Sequence, residues 1–344
     1  MNGHQRISAA LKGKETDKTP IMLHNFLMAA EEHGVTMEQF RNDPKIIAES
    51  FIAAVDKYQY DGILVDIDTV TLAGAVGVPV DFPVKEPARS HIGCLNDMVE
   101  VKNLKTVNVE NYKYIQVWLE ATRLLKEYFK DEIYIRGNCD QAPFSLASMM
   151  RGAQNWMLDL MMADENMIFE LLDYCTEATG QFIKLMVQTN CDMVSNGDSP
   201  AGPEMISAEM YEKYALPYEK RIVDIAHKAG LPYTLHICGD TDIILDKMLK
   251  TGADAFELDY KTDIQKVFDL YKDKVTLIGN IDPSGVLALG TVEEVKAKTR
   301  ELLEIYKDSN YFILNAGCAI PANTPSENLM EMIQVGREFN PNNL

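Results

Sequence analysis

Short, continuously apolar runs recur along this chain, separated by longer segments in which apolar residues return every three or four positions. Eight such runs are evident: Pro20 to His24, Gly62 to Asp66, Ile133 to Gly137, Asp192 to Asn196, Tyr233 to His236, Ala255 to Leu258, Val275 to Gly279 and Tyr311 to Leu314. Continuous rather than alternating hydrophobicity is what strands covered on both faces require. Runs of this kind, alternating with helical patterns, predict parallel strands joined by crossover helices. Eight is also the number that closes a barrel, and a length of 344 residues is normal for one. The expected fold class is therefore α/β: a single (β/α)8 TIM barrel over residues 1–344, with extra N-terminal helix and loop elements. No linker divides the chain, and no short internal repeat stands out beyond the alternation itself.

The intervening segments carry helix signals. Asp43 and Pro44 make an N-cap and first-turn pair ahead of Ile47, Phe51, Ala54, Val55 and Tyr58, which share one helical face. Thr291 with Glu294 is a capping box that opens the helix after the seventh run, and Thr324 with Pro325 and Glu327 is expected to open the last one. Extra helix and loop are expected between the first two runs and in the passage from Gly74 to Gly93. Only the short polar end, Asn340 to Asn343, is expected to be disordered.

Composition narrows the partners. A 47% share of hydrophobic residues without long Pro, Ser or Gly tracts is globular. A formal charge of -19 repels phosphate backbones and anionic lipid, so nucleic acid and membrane are poor partners. Met1 to Lys14 is too polar for a signal peptide and no apolar run is long enough to cross a bilayer, so a cytoplasmic location is expected. There the six cysteines, at positions 94, 139, 175, 191, 238 and 318, are expected to be reduced thiols or metal ligands.

In a barrel the loops that follow the strands line one mouth, where catalytic groups gather. His236 closes the fifth run, Cys238 lies two residues on in His-Ile-Cys-Gly, and Cys318 follows the eighth run in Asn-Ala-Gly-Cys. Residues two apart in extended chain point to the same side, so His236 and Cys238 can converge on one ion. Either cysteine alone would ordinarily be a small buried hydrophobe, and the histidine alone merely hydrogen-bonded. Placed together at one mouth they point to metal, and three protein ligands with an open position is the catalytic zinc pattern. Of the other cysteines only Cys139, after the third run, comes near the mouth; Cys175 and Cys191 fall in or near a long helix and Cys94 in a loop.

Carboxylates collect at the same rim: Asp66 and Asp68 after the second run, Asp198 after the fourth, Asp259 after the sixth and Asp282 after the seventh. Such groups can ligate a metal, anchor a metal-bound histidine or carry a proton. Aspartate at a loop start equally serves to cap a helix. Asp259 is expected to approach the metal and guard its open position, with Glu257 inside the sixth run competing for that role.

Several stretches resemble the uroporphyrinogen decarboxylase superfamily: Arg-Ile-Ser-Ala-Ala-Leu-Lys-Gly from position 6, Thr-Asp-Lys-Thr-Pro from 16, Ala-Pro-Phe-Ser-Leu-Ala from 142, Asp-Ser-Pro-Ala-Gly from 198, Leu-Pro-Tyr from 216, Gly-Asn-Ile-Asp-Pro from 279 and Thr-Pro-Ser-Glu-Asn from 324. The resemblance covers nearly the whole chain and implies a (β/α)8 barrel. Its decarboxylases hold a porphyrinogen with many carboxylates through an arginine-bearing segment after the first strand. Asn25 to Gly34 has neither Arg nor Lys here, so such a substrate would lack its clamps. The other branch, similar to methylcobalamin:coenzyme M methyltransferases, carries a His-x-Cys and a distant Cys as zinc ligands, which match His236, Cys238 and Cys318. Asp259 falls where that branch has an acidic residue able to approach zinc, whereas Asp68 matches the decarboxylase aspartate and does not discriminate.

The resemblance thus implies a zinc-dependent methyltransferase moving a methyl group between a corrinoid (cobalamin) protein and a small substrate, with a thiol as the expected one. Asp259, Asp198 and Asp68 are then the catalytic candidates. Corrinoid carriers that ligate cobalt through histidine use Asp-x-His-x-x-Gly, and none of the six histidines has Asp two residues before it. The corrinoid is therefore expected on a separate protein that docks over the mouth. Uroporphyrinogen decarboxylation and a non-catalytic accessory barrel that binds metal or corrinoid protein are the alternatives.

Overall fold

The computed structural model describes residues 1–339, and the polar end Asn340 to Asn343 lies outside the described residues. The eight apolar runs become eight parallel strands: β1 (Met22–Leu23), β2 (Gly62–Val65), β3 (Tyr134–Gln141), β4 (Met193–Gly197), β5 (Tyr233–Ile237), β6 (Ala255–Leu258), β7 (Thr276–Ile281) and β8 (Phe312–Ala316). They pair in chain order within one eight-stranded sheet. A parallel bridge between Ile21 and Leu314, with the Leu314 N–H donating to the Pro20 carbonyl at 2.8 Å, brings β8 back to β1. The helices between the strands pack their apolar faces on the outside of this sheet, so the strands are covered on both sides.

Two local expectations need correction. β3 runs on to Gln141 rather than stopping at Gly137. Asn138, Asp140 and Gln141 are polar, which ended the apolar run, yet β4 still pairs with Asn138 and Gln141 across an irregularity between them. The last helix starts at Ser326, with Pro325 as its cap residue and no side-chain cap bond; Thr324 falls one residue outside and its hydroxyl is buried without a partner. The other two starts form as expected. Asp43 accepts from the Lys45 N–H at 2.9 Å, and the Thr291 and Glu294 capping box is present. The extra elements are the helices Phe26–Glu32 and Met37–Asn42 before Pro44–Tyr58, then the short helix Thr71–Ala75 and a hairpin of Val80–Asp81 with Arg89–Ser90. Among the described residues no helix is long and apolar enough to cross a membrane.

The barrel interior changes character along its axis. Met22, Tyr134, Met193, Ala255, Ile278 and Ile313, one from each of six strands, form an apolar cluster with Ile7 and Ala10 of the helix Gly3–Ala10. This layer closes the end where the strands begin. Two residues further along the same strands, hence on the same face, stand His24, Arg136, Ser195, Glu257, Asn280 and Asn315, all buried and all polar. A core laid down only for stability would continue apolar here. The switch therefore marks where the fold gives way to a site.

Candidate metal centre

His236 lies on β5 between Gly197 of β4 and Glu257 of β6. Its Nδ1–H donates to the Glu257 backbone carbonyl at 2.9 Å, which turns Nε2 toward the mouth. The chain then leaves the strand through Cys238 and Gly239, whose φ of 88° is a left-handed conformation that favours glycine. The Cys238 N–H is held by the Ser199 hydroxyl at 3.3 Å. Cys318 arrives from the far side of the sequence behind Gly317, where an added Cβ would meet the Tyr260 backbone nitrogen at 2.7 Å. Glycine there lets the end of β8 lie close against the β6 loop.

The result is a triangle of donor atoms. His236 Nε2 is 2.9 Å from Cys238 Sγ and 3.9 Å from Cys318 Sγ, and the two sulfurs are 3.5 Å apart. These are the residues whose ligand atoms all lie within 4.8 Å of one another. Tetrahedral zinc with ordinary Zn–N and Zn–S bonds needs edges of about 3.5–3.8 Å, so the His236–Cys238 edge must open by about 0.6 Å and the His236–Cys318 edge close slightly for the set to fit that ion. All three residues are partly buried rather than sealed, which leaves one side of the triangle facing the mouth.

Charge is already separated across the triangle. The Cys318 thiol donates to Cys238, and together with the neighbouring His236 charge this holds Cys238 well below the usual thiol range despite its burial. The same hydrogen bond, reinforced by burial, drives Cys318 upward. Burial opposes a charged His236, but the Cys238 thiolate and Glu257 prevail and raise it to about 10. Among the chain's own groups Cys238 is thus pushed toward thiolate and His236 toward imidazolium.

Beneath the triangle lies the polar layer. Glu257 is fully buried and carries an ion pair with Arg136, also buried, and a bond from His24 Nδ1 at 3.1 Å. The other His24 nitrogen donates to Asp66 at 2.7 Å, and Asn138 donates to the second Asp66 oxygen at 3.0 Å. Burial alone would raise Glu257, but Arg136, His24 and His236 hold it well below the usual carboxylate range. His24 is raised to about 9, the two carboxylates overcoming its burial. Its folded value lies above the unfolded one of about 6.5, so its contribution to stability is full below about pH 6.5 and is lost as pH rises through about 9. Unfolding free energies between these limits should fall with pH more steeply in the parent than in a His24→Gln variant. Parallel profiles would show that His24 is not held charged.

A family model described as uroporphyrinogen decarboxylase (URO-D) matches residues 2–339. The chain belongs to the URO-D family. Among its relatives, a methylcobamide:CoM methyltransferase of Methanosarcina mazei is 35% identical over 244 residues, 70% of each chain. Another methylcobamide:CoM methyltransferase, from Methanosarcina acetivorans, is 29% identical over 341 residues and 97% of each chain. The fold agrees with a solved structure described as a methyltransferase from Methanosarcina mazei, with a TM-score of 0.89 at 21% identity over 98% of this chain and 99% of that one.

Within this URO-D chain the rim aspartates are all engaged in hydrogen bonds. Asp259 was expected at the open metal position, but its Oδ2 accepts from the Gly239 N–H and its Oδ1 from the Lys261 N–H, both at 3.0 Å. It clamps the β5 and β6 loops together and stays outside the triangle. Asp198 is wholly buried and its Oδ1 takes both the N–H and the hydroxyl of Ser145, at 2.8 and 2.6 Å. Asp68 caps the turn into Thr71–Ala75 through Oδ1, while its buried Oδ2 has no partner. Burial and the charge of Asp66 raise Asp68 above the usual carboxylate range. Asp282 caps the turn after β7 by accepting from the Ser284 and Gly285 N–H groups. Cys139 is sealed in β3, Cys175 lies inside the helix Glu165–Val187, and Cys191 is buried just ahead of β4, so none of them reaches the centre.

His24, Arg136, Asn138 and Ser199 were not singled out by sequence reasoning. The first three did leave a signal: charged or amide side chains inside or at the end of otherwise apolar strands, in step with the interior face. Ser199 left none, because its contact to Cys238 depends on how the β4 turn folds.

Proposed function

We propose that this protein is a zinc-dependent methyltransferase that moves a methyl group between a corrinoid carried by a separate protein and a small thiol. The observation that carries the reading is the convergence of His236, Cys238 and Cys318 at the open mouth of a URO-D barrel. Its methylcobamide:CoM methyltransferase relatives give the reaction class. Zinc held by these three residues supplies Lewis acidity that keeps a substrate thiol deprotonated at neutral pH.

The chain's own groups set up that chemistry. The Glu257 carbonyl fixes the His236 ring so that Nε2 is the donor, and Arg136 and His24 fix Glu257 in turn. The Ser199 hydroxyl and the Asp259 carboxylate hold the Cys238 and Gly239 amides, so the loop that brings Cys238 forward is tied at two points. On the β1 side of the mouth the helix Phe26–Glu32 presents no cation, and buries Phe26, Met28, Ala29 and Ala30. A substrate bearing many carboxylates finds no clamp in that segment.

The test uses purified protein, methylcobalamin as a stand-in for the carrier-bound corrinoid, and a panel of thiols. We expect about one zinc per chain and a thiol-dependent change in the corrinoid absorption spectrum. Bound zinc with no spectral change for any thiol would favour an accessory barrel. Coproporphyrinogen formation from uroporphyrinogen in an anaerobic assay would overturn the reading in favour of decarboxylation.

A further inference from the structure

Behind the centre, on the side of β4, two carboxyl groups face each other in the protein interior. Asp198 follows β4, and Glu219 lies in the helix Leu216–Lys228; both are wholly buried. Asp198 Oδ1 is occupied by Ser145, and Glu219 Oε2 accepts from the Tyr211 hydroxyl at 2.5 Å. The two remaining oxygens, Asp198 Oδ2 and Glu219 Oε1, receive no other protein donor, and the two side chains are within hydrogen-bonding reach of each other. Among the described residues neither forms an ion pair with Lys, Arg or His.

Two carboxylates in contact, out of water and without a cation, cannot both carry a charge. One proton between them turns the repulsion into an O–H···O bond, as in other carboxyl pairs that share a site. Asp198 accepts two hydrogen bonds from Ser145 and is the better hydrogen-bonded anion; Glu219 accepts one. The proton therefore resides on Glu219. Burial and the Asp198 charge push Glu219 in the same direction, well above the usual carboxylate range.

The pair is wired to the centre through backbone. The Asp198 N–H donates to the His236 carbonyl at 2.8 Å, and the next residue is Ser199, whose hydroxyl receives the Cys238 N–H. We propose that Glu219 is a positioning residue for the Cys238 loop: as a neutral carboxylic acid it donates to Asp198 and so fixes the turn that presents Ser199 to the Cys238 amide. Its hydrogen bond ties the helix Leu216–Lys228 to the β4 turn, just as Ser145 ties that turn to the helix Pro143–Arg151. The positioning role rests on the metal reading above, whereas the proton on Glu219 does not.

The variants separate donor from bulk. Glutamine at 219 keeps a donor toward Asp198 and an acceptor toward Tyr211, whereas leucine keeps neither and strands the Asp198 charge. In the infrared, the difference between parent and Glu219→Gln at neutral pH should show the carbonyl band of a protonated carboxylic acid, moving on deuteration. In titrations of the metal-free chain with Co2+ alone, Glu219→Gln should bind like the parent. Glu219→Leu and Ser199→Ala should each weaken binding by about tenfold or more. Should Glu219→Leu fail to fold, Glu219→Gln and Ser199→Ala still decide. Absence of the acid band overturns the proposal whatever the metal content. Parent-like Co2+ affinity in Ser199→Ala, or a loss in Glu219→Gln as large as in Ser199→Ala, overturns the positioning role and leaves the zinc reading standing. A parent chain that takes up no Co2+ overturns the zinc reading, and with it the positioning role, while the infrared result still stands for the proton.

Discussion

Cys318→Ala and Cys238→Ala should each lower zinc affinity by orders of magnitude while the barrel stays folded. Each substitution removes one of three donors, and a thiolate contributes more to zinc binding than the water that would replace it. Neither side chain belongs to the main apolar core, since both cysteines are partly exposed at the mouth beyond the ends of β5 and β8. Far-ultraviolet circular dichroism of the metal-free variants should therefore match the parent. The binding should also depend on pH with a definite sign. Cys318 is driven toward keeping its proton and His236 toward carrying one, so an ion must displace protons and affinity should rise with pH. Zinc analysis showing full occupancy in both variants, or proton release that does not accompany binding, would sink the assignment of the site.

Much of this arrangement was open to sequence reading because it follows strand periodicity. The eight continuous apolar runs are the eight strands, and the position of His236 at the end of one and Cys318 beyond another follows from where those runs stop. The polar layer was equally periodic, yet each of its members sits alone within or at the end of an apolar run. Only closure of the barrel, which brings the non-adjacent strands β1, β3 and β6 to one interior layer, shows that His24, Arg136 and Glu257 meet. Asp259 was harder to read, because a carboxylate after a strand serves equally as a ligand or a loop clamp, and the two backbone N–H groups it accepts from come from loops of unpredictable path. Glu219 was invisible for another reason. Followed by Lys220 and Arg221 on a helix, it reads as a solvated charge, and its burial is created by Tyr211 and Asp198 from other segments.

Arg136→Met should destabilise the fold by about 3–5 kcal/mol, the cost of breaking a buried ion pair from one side. Arg136 is 2% exposed and Glu257 fully buried, so no water is at hand to replace the guanidinium. Methionine fills much of the space but leaves Glu257 with only His24 as a charged partner on its carboxylate at hydrogen-bonding distance. Burial then pushes Glu257 toward its neutral form, and the imidazolium of His24 loses one of the two carboxylates that keep it charged. The loss should thus spread to Asp66 through His24 rather than stop at one pair. Adding Glu257→Gln should recover a large part of the stability, because the unpaired charge is removed with its partner. Urea denaturation of the metal-free parent, the single variant and the double variant measures both effects. A single variant within about 1 kcal/mol of the parent, the range of exposed pairs, would mean that Arg136 is not what holds Glu257. The double variant should still bind zinc, since the hydrogen bond that Glu257 offers to His236 comes from its backbone carbonyl, its carboxylate lying 3.8 Å from the ring.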